Sequence, residues 1–141
     1  MTILPISLTA AAAAALVNVW LSTRVSRVRT ANKVFMGDGG DESVVAAMRA
    51  HANFVEYTPF VLVLIALIEL ALGSQLWLSV VSAAYVLGRV AHGIGMSGGW
   101  PRGRMVGTIV TLVTLLGLAI VALTIPYLPI GVVTHSAMAA V

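Results

Sequence analysis

Arg49, Asn53 and Glu56 fall at i, i+4 and i+7, a spacing that lays all three on one stripe of a helix with Tyr57 on its flank. A ligand lying along that face meets a cation, an amide and a carboxylate in turn. Tyr85, Arg89, His92 and Met96, at i, i+4, i+7 and i+11, spell a second narrow stripe further along the chain. Both stripes are set in strongly apolar sequence. At the centre of a membrane-spanning helix, one Lys, Arg or Asp costs roughly 2.5 to 3.5 kcal/mol. Such residues persist where they face protein, water or a polar ligand.

The elements that must carry these stripes follow from composition. Of 141 residues, 60% are hydrophobic and 9% charged, with mean hydropathy +1.02, whereas soluble domains carry about 25% charged residues. The reading is an all-α integral membrane protein: one four-helix bundle over residues 1–128 and a short tail over 129–141. Span one runs from about Ile3 to Leu21, and Arg24 to Arg29 continue in helix-compatible residues. No Lys or Arg precedes it, so it reads as a retained span rather than a secretion signal. Met36 to Gly40 is a glycine-rich loop, after which Asp41 is a helix cap and Glu42 suits a first turn. Ser43 to Leu72 forms span two, with a bend expected at Pro59. Gly73, Ser74 and Gln75 turn into span three, Leu76 to about Ser97. Gly98 to Pro101 break it, and span four runs from Met105 to about Tyr127.

Every Lys and Arg except Arg89 lies near the loop joining spans one and two or the loop joining spans three and four. The positive-inside rule places both loops in the cytoplasm and both termini on the opposite side. The net charge of +3 and pI near 10 therefore reflect orientation and contact with membrane lipids, not a nucleic-acid surface. With no cysteine in the chain, disulfides, thiolate metal sites and a cysteine nucleophile are excluded. The histidines have no metal-ligand spacing, no hydrolase triad is recognisable, and the glycines lack a phosphate-binding context. Trp20, Trp77 and Trp100 suit interfacial belts. Glu69, on another face near the outer end of span two, is assigned no chemistry. His51 and His135 read as structural or solvated.

Two accounts compete for the polar stripes. In one, Arg49 pairs with Glu56 or Glu42, and Arg89 with Glu56, fixing helix register. Cations outnumber carboxylates around these helices, however, and unpaired guanidinium groups in a low dielectric are costly. An anionic ligand resolves the excess. The fitting ligand offers carboxylates to Arg29, Arg49 or Arg89, an amine to Glu56 and amide edges to Asn53. Glutathione, acting as a thiol co-substrate, has all these groups. Its thiol, with an ordinary pKa near 8.5, gains a factor of ten in ionisation for each 1.4 kcal/mol or so of thiolate stabilisation. One guanidinium about 4 Å away supplies up to roughly 4 kcal/mol at an effective dielectric near 20. Arg104, at the start of span four, is the candidate for that catalytic role, with Arg102 as its rival and contact with lipid phosphates as the plain alternative. His92 is a candidate to bond the ligand or a neighbouring helix.

The run Arg49, Ala50, His51, Ala52, Asn53, Phe54, Val55, Glu56, Tyr57, Thr58, Pro59 resembles the R-A-x-x-N-x-x-E-Y-x-P motif of the MAPEG family, membrane-associated proteins in eicosanoid and glutathione metabolism. Gly88 to His92 is similar to the span-three segment of its prostaglandin-synthesising members. The resemblance implies a four-helix subunit assembled as a homotrimer. It also implies a glutathione site between protomers, open to the cytoplasmic side, and a lipophilic small-molecule acceptor. Carried over by position, Arg49, Asn53, Glu56 and Tyr57 hold glutathione from span two, and Arg89 and His92 from span three. Arg29 does so from the end of span one, with Arg27 and Lys33 as alternatives, and Arg104 matches the thiolate-stabilising arginine. Met96 stands where the eicosanoid-synthesising members carry a tyrosine, and a thioether cannot donate that hydrogen bond. The chain thus looks like a bacterial-type member, placed in the inner membrane. The expected function is a glutathione transferase or peroxidase acting on lipophilic electrophiles or hydroperoxides. The competing class is a non-catalytic lipid- or protein-binding member; a small transporter is disfavoured by the lack of an internal repeat.

Overall fold

The structure, a computed structural model, describes residues 3–128; the tail over 129–141, with His135, lies outside the described residues. Four helices follow in order: α1 Pro5–Ala31, α2 Glu42–Leu72, α3 Leu76–Gly95 and α4 Pro101–Thr124, closed by a 3-10 turn over Ile125–Tyr127. All four are long and apolar enough to cross a membrane. Large apolar side chains such as Leu16, Phe60, Leu87, Leu116 and Leu123 stay exposed on the bundle's outside, as suits helices solvated by lipid.

α1 runs on through the helix-compatible stretch from Arg24 to Arg29 and ends at Ala31. The boundaries correct the expected spans in two places. α3 stops at Gly95, short of Ser97. α4 begins at Pro101, so Arg102 and Arg104 belong to its first turn and do not precede it; proline at the first helical position gives up a backbone donor that would be unpaired there anyway. α2 runs unbroken through Pro59. Its start is set by Asp41, whose Oδ1 accepts from the backbone N–H of Ser43 at 2.9 Å and of Val44 at 3.0 Å.

α3 and α4 approach through glycines. A Cβ on Gly107 would meet the Gly88 carbonyl oxygen and the His92 side chain, and one on Gly95 would meet the backbone of Arg104. Removing those Cβ atoms lets the two backbones touch, the small-residue packing that membrane helices favour. The contact brings the end of α3 and the start of α4 together. Two buried clusters tie the helices into one bundle: Val61, Ile65, Ile68, Leu78, Tyr85 and Leu118 in one, and Ala14, Val17, Leu21, Ala50 and Phe54 in the other.

Polar residues lock the register. Glu69, which spacing left without a role, is 1% exposed and accepts from Ile6 N (3.0 Å), Ser7 N (2.8 Å), Ser7 Oγ (2.6 Å) and Ser74 Oγ (2.8 Å). It caps the free N–H groups at the start of α1 from a neighbouring helix, so its cost of burial is met by four donors. His51 bonds Asn18 at 2.9 Å, joining α2 to α1, and Arg24 donates to the Gly93 carbonyl at 2.5 Å, joining α1 to α3.

Candidate functional site

At the end of the bundle that carries the α1–α2 and α3–α4 loops, an open pocket of about 330 Å³ is walled by α2, α3 and α4. Arg49, Ala52, Asn53 and Glu56 line it from α2, His92 and Met96 from α3, and Arg104 and Thr108 from α4. Five of the eight residues singled out by spacing and resemblance thus meet around one space. The volume lies at the lower end of the roughly 300–1,000 Å³ range of small-molecule sites.

Arg89 sits behind the wall. It is 1% exposed, donates from Nη2 to Asn53 Oδ1 and from Nη1 to Thr111 Oγ1, each at 3.0 Å, and lies 5.6 Å from the centre of the Phe54 ring. The expected pairing with Glu56 is replaced by an amide and a hydroxyl. A guanidinium can only donate, so Asn53 must turn its oxygen inward, and Nδ2 is left as the end of that amide available to the pocket. Tyr85, next on the same stripe, is buried against Thr58 with their hydroxyls 2.8 Å apart. The upper part of the stripe therefore serves the protomer's interior.

His92 and Arg104 are joined directly. His92 Nδ1 lies 3.2 Å from the Arg104 carbonyl oxygen, which also accepts from Thr108 Oγ1 at 2.9 Å. A carbonyl cannot donate, so Nδ1 carries a proton and Nε2 is the ring nitrogen left without a partner in the wall. The wall's own hydrogen bonds use Asn53 Oδ1, His92 Nδ1, Thr108 Oγ1 and the Arg104 carbonyl. Among the described residues, the Arg49 and Arg104 guanidinium groups and the Glu56 carboxylate keep their bonding capacity for the pocket. Arg102 is exposed outside the lining, so of the two rivals only Arg104 faces this space.

Two further residues lie elsewhere. Tyr57 is half-buried off the pocket wall. Arg29 braces the α1–α2 loop, donating from Nη2 to the Gly37 carbonyl at 2.6 Å, with Met48 Sδ at 3.6 Å. Thr108 was missed by sequence reasoning although a signal was present: it stands at i+4 from Arg104, on the same face of α4. Thr111, at i+7 from Arg104, lies about one turn further along the helix, where it receives Arg89.

Fold and pocket together define an integral membrane protein of four spanning helices with a charged recess at one end. A profile of the MAPEG family matches residues 7–124, and the chain belongs to that family. It is similar to the inner membrane protein YecN of Escherichia coli strain K12, 35% identical over 82 residues that cover 57% of this chain and 62% of that protein. YecN of E. coli O6:H1 strain CFT073 matches equally, 35% identical over 82 residues. The matched stretch spans less than two thirds of the length of these relatives.

Proposed function

We propose that the pocket binds glutathione and activates its thiol for attack on lipophilic electrophiles or hydroperoxides reaching it from the bilayer. The observation that carries this reading is the pairing of two uncompensated guanidinium groups, Arg49 and Arg104, with an acceptor, Glu56, in one open recess. The recess has donors suited to carboxylates and acceptors suited to an ammonium group and amide N–H groups, the complement of a small acidic peptide. Arg104 holds the thiolate, whose sulfur forms a bond to an electrophilic carbon while the leaving group departs with its electron pair. Met96 adds no hydroxyl donor, so the guanidinium acts on the sulfur without a tyrosine's help.

The same reading places the protein in the inner membrane as a homotrimer, with the basic loops and the recess on the cytoplasmic side and both termini opposite. Arg29 and Tyr57, which face away from the recess within one protomer, join it across the contact with a neighbour. Glutathione binding stabilises the detergent-purified protein by RT ln(1 + [L]/Kd), about 2.7 kcal/mol at a hundredfold excess over Kd. Thermal unfolding with and without millimolar glutathione measures this. An unchanged midpoint would turn the assignment to a non-catalytic member that binds lipid or protein in the same cleft.

A further inference from the structure

Away from the recess, two large apolar side chains stand exposed next to each other: Phe35 is 90% exposed and Met36 88%. They occupy the tip of the α1–α2 loop, and that loop is built to project them. Val34 N donates to the Arg29 carbonyl at 2.9 Å, Arg29 Nη2 ties down the Gly37 carbonyl at 2.6 Å, and Gly40 N donates to Asp38 Oδ1 at 3.0 Å. Val34 lies so close over Gly39 that a Cβ there would stand 2.7 Å from it. One apolar residue of the loop thus packs inward while its two successors are held out.

Charge surrounds the tip unevenly. Arg27 and Lys33 flank it and are exposed, whereas the carboxylates of Asp38 and Asp41 accept from the loop's own backbone N–H groups. Glu42, in the first turn of α2, is the remaining exposed acid nearby. Setting aside Arg89 in mid-span and Glu69 at the far end, seven of the eight cations and four of the five carboxylates lie at this end of the bundle. α1, with 27 residues, is about 40 Å long. That length matches a hydrocarbon core plus its interfacial layers, about 40–45 Å in all, and puts the loop at headgroup level.

We propose that the α1–α2 loop grips an anionic lipid surface, with Phe35 and Met36 entering the headgroup layer and Arg27 and Lys33 holding lipid phosphates. Apolar side chains beside cations at a membrane face are the composition of an interfacial anchor. Two side chains are far too small a patch for a stable protein interface, which takes about 800 Å² from each partner. Each cation near an anionic surface contributes roughly a fivefold gain in partitioning.

The chain contains no cysteine, so Met36→Cys gives a single attachment point for a spin label, and an exposed position keeps the fold intact. In phosphatidylcholine vesicles containing phosphatidylglycerol, the label should be relaxed by dissolved oxygen more than by a water-soluble nickel chelate. Adding Arg27→Gln and Lys33→Gln should shift the balance toward nickel, by up to roughly 25-fold in the inserted population. Dominant relaxation by nickel in the parent would overturn the proposal. Shielding from both reagents would overturn it in favour of a protein contact, and an oxygen preference unaffected by the double substitution would overturn the role of the cations.

Discussion

Asn53 receives Arg89 on its oxygen at 3.0 Å, and this single bond decides what the recess can recognise. With Oδ1 turned inward to Arg89, the amide presents its Nδ2 donor to a ligand. Asn53→Asp keeps an acceptor for Arg89 but replaces the donor with a second carboxylate facing an acidic peptide. The expected outcome is glutathione binding weakened by more than about tenfold while thermal stability is held or raised, since Arg89 gains a charged partner. Calorimetric titration and thermal unfolding of the same preparation separate the two effects. The spacing of Arg49, Asn53 and Glu56 showed which face of α2 would line a site. That Arg89 would lie behind that face was not legible, because its partner Thr111 belongs to α4, and one helix's periodicity says nothing of which neighbour it meets. Glu69 was missed for the same reason: its four donors come from α1 and from the α2–α3 turn.

At the scale of the helices, the recess depends on how closely α3 and α4 approach. Gly107→Ala drives a methyl group against the Gly88 carbonyl and His92, and neither can move without parting the helices. A loss of about 1–3 kcal/mol in stability is expected, the range for overpacking, with weaker glutathione binding as Arg104 moves away from Asn53. Thermal unfolding and ligand titration check both. At the start of α2, hydrogen bonds from Ser43 and Val44 hold the Asp41 carboxyl below the usual carboxylate range. A lowered folded-state value means that the cap's contribution is present above the ordinary Asp pKa and is lost as pH falls through the folded value. Asp41→Asn, which caps without ionising, should remove that part of the acid destabilisation, read as a flatter stability profile below about pH 4. Composition and turn residues made the four helices legible, and Asp41 announced α2. The start of α4 was displaced because charged residues at a membrane surface lower hydropathy without breaking a helix.

The molecule as a whole brings charged groups from three helices to one end of an apolar bundle, and family membership over residues 7–124 gives that arrangement its chemical setting. In the proposed function, Arg104 turns a bound thiol into a thiolate. The most direct test is the ultraviolet absorbance of the glutathione thiolate at neutral pH, in the purified wild-type protein and in Arg104→Ala and Arg102→Ala. A thiolate band is expected on binding in the wild type and in Arg102→Ala, and its loss in Arg104→Ala with binding largely retained. An equal band in all three proteins would contradict it.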